Sequence, residues 1–403
     1  MRRATITTSL LLFATGAHSG AAPADPVEFR GPPGSVTPNL AVGRDGRVLL
    51  TWLEPIAEGR HALRLAVRQG GRWTPPQTIR ESDRFFVNWA DFASLVETVD
   101  GQWVVHWLEK TEAKPYAYHV MLSVSADRGQ TWSAPFPAHR DRSPTEHGFV
   151  AMLPRPSGGV DLAWLDGRRM DGNPAGTMGV RTTSLVVAGS PRLGDEVELD
   201  DRTCECCQVA LARTSRGLVA AFRDRSSSEI RDIALAREVS GAWTEPQVIA
   251  ADDWEHRACP VNGPALAADG DHLALVWFTR ARNEPRVYLV QSDDGGATFG
   301  SRVRIDDGQT LGRVDAEPLG GGAVAIASLE GKGEADAEWR VRRVEADGRT
   351  GQARVVATVT RARLAGFPRF ARAGADLLLS YTAPGADGGV RVIRLDPTRL
   401  ATR

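Results

Sequence analysis

The apolar positions of this chain fall in short runs separated by glycine-containing turns. Seven of the runs end on a large side chain: Arg47–Trp52, Gln102–Trp107, Val160–Trp164, Leu218–Phe222, His272–Trp277, Ala323–Leu329 and Asp376–Tyr381. Their closing residues are spaced 55, 57, 58, 55, 52 and 52 apart. Each run follows a short strand-like segment, such as Thr37–Val42, and each of the first six precedes one or two more, such as Arg286–Gln291. No stretch keeps a helical period over any length. Four short strands recurring about every 50 residues is the pattern of a β-propeller blade, a unit that buries its faces only against its neighbours. The expectation is an all-β chain forming one propeller of four-stranded blades over residues 27–397, with seven blades preferred and six as the alternative. The last repeat offers only three strands, and Val27–Arg30 can supply the fourth and close the ring.

Two turns add a local signature. Ser125, Asp127, Gly129, Thr131 and Trp132 spell S-x-D-x-G-x-T-W, and Ser292, Asp294, Gly296, Thr298 and Phe299 spell S-x-D-x-G-x-T-F. A carboxylate there can accept backbone N–H bonds across the turn, glycine permits a left-handed backbone, and the aromatic plugs the gap between strands. Weaker versions stand at Gly70–Trp73 and Ser240–Trp243, each followed by Thr. These turns resemble the Asp box of the sialidase (BNR-repeat) superfamily, whose hairpins join the third and fourth strands of a blade on the face opposite the active site. The resemblance implies a structural role for Asp127 and Asp294.

The same resemblance implies a chemistry. Sialidases clamp a substrate carboxylate with three arginines, because the guanidinium fork matches a carboxylate bidentately. They also use a tyrosine nucleophile polarised by a glutamate, with an aspartate as acid/base. The corresponding candidates are Tyr381 as nucleophile, Glu330 or Glu317 as its partner, and Arg223, Arg280 and Arg369 near strand ends. Periodicity alone reads Tyr381 differently, as the seventh member of the packing series. The Arg-Ile-Pro arginine of the family is missing, its place reading Ser35-Val36-Thr37-Pro38, with Arg30 upstream. Binding of a glycan-like ligand at the propeller mouth is therefore expected, with hydrolysis of sialidase type left open.

The four cysteines concentrate in two places, Cys204, Cys206 and Cys207 in one segment and Cys259 in another. Cys204 and Cys259 both stand 18 residues ahead of their closing aromatics, Phe222 and Trp277. That register puts both at the tops of neighbouring inner strands, on the mouth face. Disulfides are the leading expectation: Cys204–Cys259 would staple two blades, and Cys206–Cys259 or Cys207–Cys259 are equally allowed. The alternatives are a thiolate site for Cu or Zn, with His147 and His256 nearby in register, or a redox-active thiol pair. The rival function is accordingly a metal-binding or redox propeller. No cofactor is required by the leading reading.

Other charged groups share the mouth by register. Asn88, Asp91, Glu146, His147, Asn262, Arg313, Asp315 and Arg369 enter inner strands; Glu54, Glu109, Asp166, Arg168, Arg223, Asp224, Arg280 and Glu330 leave second strands. Both signs converge, which suits a small polar ligand. His106 lies inside a strand and reads as a core histidine.

Composition sets the surroundings. Lys plus Arg is 49 and Asp plus Glu 50, a formal charge of −1 that gives no footprint for nucleic acid. Only three lysines occur, Lys110, Lys114 and Lys332, a usage expected of a GC-rich bacterial genome. Met1–Arg3 is basic, Ala4–Ala17 apolar with Leu10–Phe13 at its centre, and small residues then allow cleavage after Ser19 or Ala22. This reads as a secretory signal peptide over 1–22, and no later run approaches membrane-spanning length. The mature chain is expected to be a periplasmic or secreted monomer, in a compartment where disulfides persist.

Overall fold

The computed structural model describes residues 25–112 and 114–400; the signal peptide expectation lies outside them. Seven antiparallel sheets make a seven-bladed β-propeller, and among the described residues the only helical elements are short 3-10 turns. Their innermost strands are Val36–Val42, Ser94–Glu97, His147–Pro154, Ala210–Thr214, Ala265–Asp269, Thr310–Gly320 and Arg369–Ala373, numbered here as blades 1 to 7. The apolar runs of the sequence are the second strands, buried on both faces, which is why they read as nearly continuous hydrophobic segments rather than alternating ones.

The core is a ring of wedges. Each neighbouring pair of blades shares one hydrophobic cluster. Trp52, Trp107 and Trp277 are buried in three of them, Trp164 is fully buried at the same position of blade 3, and Phe222, Leu329 and Tyr381 hold the equivalent positions in blades 4, 6 and 7. The ring closes as the sequence suggests: Val27–Arg30 pairs antiparallel with Gly389–Leu395 as the outer strand of blade 7. Phe29 carries that closure into blade 1, with its ring 5.2 Å from Trp52 and 5.3 Å from Trp73. Arg68 of blade 1 ties both chain ends together, reaching Glu28 at 2.7 Å and Asp376 at 2.8 Å.

Both Asp boxes join the third and fourth strands of their blades, 2 and 5. Asp127 Oδ1 accepts the Thr131 backbone N–H at 2.8 Å, its Oδ2 accepts the Thr131 hydroxyl, and Ser125 Oγ accepts the Gly129 N–H at 2.7 Å. Asp294, Ser292, Gly296 and Thr298 repeat the arrangement. These bonds hold both carboxyls below the usual range, Asp127 at about 2. Gly129 is needed twice, for φ of 83° and for close approach, since a Cβ there would lie 2.9 Å from Trp103 and 3.3 Å from Leu65. Gly129→Ala is expected to lower stability by about 2 kcal/mol, read as a lowered thermal midpoint. An unchanged midpoint would show that this turn does not set the blade packing.

Candidate functional site

The inner strands surround a central channel of about 380 Å³, lined by residues from all seven blades. On the mouth face the channel is plugged. The segment entering blade 2 turns at Asn88–Asp91 and lies over the opening: Gln208 of blade 4 donates to Ala90 O at 2.8 Å, and Trp89 stacks on Phe367 of blade 7 at 5.8 Å. Ala90, Phe92, Phe149 and Phe367 pack in one cluster there. Two arginines flank Trp89, Arg313 at 4.8 Å and Arg363 at 5.9 Å from the ring, and Arg369 lies 5.2 Å over Phe92.

Beneath this rim a polar joint recurs between blades. Asp91 Oδ2 accepts the Phe149 N–H at 2.6 Å, Gln208 Oε1 that of Gly263 at 2.9 Å, Asn262 Oδ1 that of Arg313 at 2.6 Å, and Asp315 Oδ2 that of Phe370 at 2.7 Å. Each carries a side chain of one blade to the backbone of the next. Phe149 and Arg313 sit at positive φ, 52° and 53°, beside bulges in their inner strands, as does Thr37 at 54° in blade 1. Such strain persists where the surroundings over-determine it.

Burial governs the acids here. Asp91 is pushed up to about 7 by desolvation, against the Phe149 N–H that lowers it. Glu146 and Glu317 rise to about 7 for the same first reason, although the Tyr118 hydroxyl donates to Glu146 Oε1 at 2.6 Å. Asp315 is raised as well. A folded-state value above the unfolded one means that Asp91 contributes stability below about pH 4, which is lost as pH rises through about 7. Asp91→Asn keeps the carbonyl acceptor that Asn262 already provides in blade 5. The variant is expected to match the native protein in urea melts at pH 4 and to exceed it at pH 8, by on the order of 4 kcal/mol. The other acids titrate in both proteins and cancel. An equal difference at both pH values would refute the buried-acid assignment.

The sialidase-type candidates are not brought together. Tyr381 is 7% exposed and packs with Leu329, Trp339 and Leu379 between blades 6 and 7. Burial raises it, so the phenol is held protonated. Glu330 instead accepts the Asp307 N–H at 3.1 Å and faces Arg340 at 3.7 Å. Arg223 is 1% exposed and donates from Nε to Asn262 O at 2.9 Å and from Nη2 to Phe278 O at 2.6 Å, with Nη1 on Arg231 O at 2.5 Å. It is a strut between blades 4 and 5, and burial lowers it to about 9. Arg280 is exposed at the end of its strand, and Arg369 pairs with Asp315 at 3.3 Å. No three-arginine clamp forms from this set. Many rim charges named from register are likewise paired, Glu54 with Arg64 and Asp166 with Arg168.

The cysteines form two disulfides, Cys204–Cys207 and Cys206–Cys259. The inter-blade staple therefore exists between blades 4 and 5, but through Cys206 rather than Cys204. Matching register brought Cys204 to the right height, yet its side chain is fully buried and turns inward, while half-exposed Cys206 faces exposed Cys259. Neither expected histidine joins the sulfurs. His256 stacks on Trp254 at 5.1 Å, and His147 lies between blades 2 and 3 with His119 and His139, two residues that register reasoning passed over. His106 is a core histidine bonded to Ser94 at 2.8 Å.

No family model and no curated protein matches the chain. Solved structures do. A protein of unknown function from Dyadobacter fermentans aligns over 93% of this chain and 98% of its own at 15% identity and a TM-score of 0.53. The GH93 α-L-arabinofuranosidase of Fusarium graminearum, in complex with arabinobiose, aligns over 93% and 98% at 12% identity and TM-score 0.52. A PL25 ulvan lyase bound to a GlcA(1-4)Rha3S unit aligns over 93% and 94% at 11% identity and TM-score 0.54. At such identities the likeness is one of fold alone, the β-propeller that the sheet order of this chain shows.

Proposed function

We propose that this chain is an extracytoplasmic glycan-binding propeller that takes its ligand on the mouth face, above the plug. The carrying observation is the Trp89 platform, a half-buried aromatic ring backed by Phe367 and held by the buried Arg313 strut, with exposed Arg363 and half-buried Arg369 beside it. Flat apolar surface bordered by fixed charges is what a sugar ring carrying hydroxyl or acidic groups requires. The neighbours in fold support the ligand class, since two of them are carbohydrate-active enzymes with bound sugars. Two disulfides are compatible with an oxidising compartment, and among the described residues no helix is long and apolar enough to cross a membrane.

Hydrolysis is the finer part of the proposal. The test is a panel of neutral and acidic oligosaccharides by calorimetry, run beside aryl glycosides and uronic-acid polysaccharides for product release. At least one acidic sugar is expected to bind, Trp89→Ala to weaken it at least about tenfold, and Trp89→Phe to restore most of it. Any turnover is expected to survive Tyr381→Phe. Absence of binding and turnover across the panel, or binding indifferent to Trp89→Ala, overturns the reading.

A second reading keeps the cysteine cluster in view. The sulfurs of Cys204, Cys206 and Cys207 lie within 4.8 Å of one another, so the reduced protein would offer soft ligands for Cu or Zn. Metal analysis of the oxidised and reduced protein separates this from purely structural disulfides.

A further inference from the structure

His119 is the second residue of the third strand of blade 2, His139 follows its fourth, and His147 opens the inner strand of blade 3. Their rings meet in the seam between the blades. His139 stacks on His147 at 4.1 Å, and His119 stands edge-on to both, at 4.8 and 5.2 Å. All three are buried, and one nitrogen of each lies within 4.8 Å of the others.

The hydrogen bonds around the cluster decide what those nitrogens present. His139 Nδ1 faces Asp141 O at 3.0 Å, and His147 Nδ1 faces the carbonyls of Tyr118 and Thr145, each at 3.3 Å. A carbonyl can only accept, so each Nδ1 carries the proton and each Nε2 presents a lone pair. Those Nε2 atoms, and Nδ1 of His119, have no hydrogen-bond partner among the described residues. Two buried imidazole nitrogens without partners, and a third that faces only a carboxylate, would be a heavy penalty for a merely structural cluster. Backbone carbonyls fixing the far nitrogen are the arrangement that orients metal-bound histidines.

A carboxylate completes the set. Asp141 Oδ2 lies 2.9 Å from His147 Nε2, without the alignment of a hydrogen bond, and its side chain keeps 19% exposure. Asp166 stands behind at 3.8 Å from the same nitrogen, held by the Trp164 indole at 2.8 Å and by Arg168 at 2.6 Å. We propose that His119, His139 and His147, with Asp141 as the fourth ligand, bind a divalent transition metal of the Zn(II) class and so clamp blade 2 to blade 3. Three nitrogens and one oxygen, all supplied by the chain, are the donor set of a closed tetrahedral site. Bonds of about 2.0 Å put tetrahedral ligands about 3.3 Å apart, so the rings draw together slightly on binding. Asp141 marks the side from which the ion enters.

The site is independent of the glycan reading and of the cysteines. The full chain, oxidised and freed of metal with a chelator, is titrated with Zn(II) and separately with Co(II). One equivalent of Zn(II) is expected to remain through gel filtration and to raise the melting temperature. Co(II) is expected to show the intense visible bands of tetrahedral coordination without a sulfur-to-cobalt charge-transfer band. His139→Gln and His119→Gln are each expected to weaken Zn(II) at least about 100-fold. Metal-free melting curves of both variants establish that they fold; should either fail to fold, Asp141→Asn is read instead, with at least about a tenfold loss expected. No bound metal in the folded native chain, six-coordinate cobalt spectra, a thiolate band, or native affinity in these variants would each overturn the proposal.

Discussion

Arg223→Ala is expected to lower the unfolding free energy by about 4 kcal/mol. The guanidinium donates to carbonyls of Arg231, Asn262 and Phe278, and it lies 4.9 Å over the Trp254 ring, wholly out of water. Alanine would leave three buried acceptors unpaired in the seam between blades 4 and 5, each costing about 1–3 kcal/mol before relaxation. It would also open a void beside Trp254. Lysine cannot replace the fork, because one ammonium reaches these three directions poorly and is more strongly hydrated, so Arg223→Lys is expected to recover little. Arg280→Ala, at an exposed strand end, serves as the control and is expected to change stability by less than about 0.5 kcal/mol. The measurement is the urea midpoint of each variant. A loss below about 1 kcal/mol for Arg223→Ala would return that arginine to the pool of ligand-binding groups.

The contrast between these two arginines shows what the sequence carries. Blade number, strand order and the closing role of Val27–Arg30 were legible because each rests on a period: a bulky side chain must fill every wedge, and seven wedges make seven closing residues. That same period correctly placed Tyr381 in the packing series at Leu329 and Leu379. The Asp boxes were legible because their bonds are local, closing within four residues of the aspartate. The inter-blade joints were not. Asp91, Gln208, Asn262 and Asp315 do one job with three residue types, because any side-chain oxygen can accept a backbone N–H. Arg223 ends its second strand directly after Phe222 and is buried, whereas Arg280 stands just beyond Thr279 and is exposed, a difference that reading both as strand-end arginines did not register. The histidine cluster escaped for a related reason. His119 and His139 are 20 residues apart around an Asp-box hairpin, and closing the hairpin is what brings strand start and strand end together. Two histidines flanking such a box, with a third opening the next blade, are the pattern that would have revealed it.

Reducing the two disulfides is expected to destabilise the protein unequally, with Cys206–Cys259 dominant. That bond joins residues 53 apart on blades 4 and 5, and Cys204–Cys207 closes a turn of 3. On the loop-entropy estimate the long link contributes about 4 kcal/mol and the short one about 2 kcal/mol. Cys259 is exposed and its partner half-exposed, whereas Cys204 and Cys207 are buried. Mild reductant should therefore open the long link first, giving two free thiols and most of the fall in melting temperature before the remaining pair appears. Cys259→Ser should reproduce that first step, and Cys207→Ser should give a smaller loss at the same reductant concentration. The blade 4–5 seam also holds Arg223, so Cys259→Ser and Arg223→Ala act on one interface and should combine to less than the sum of their separate losses. Additive losses would mean that the two devices stabilise different parts of the ring. Equal thiol release from both pairs would mean that burial does not protect the Cys204–Cys207 turn.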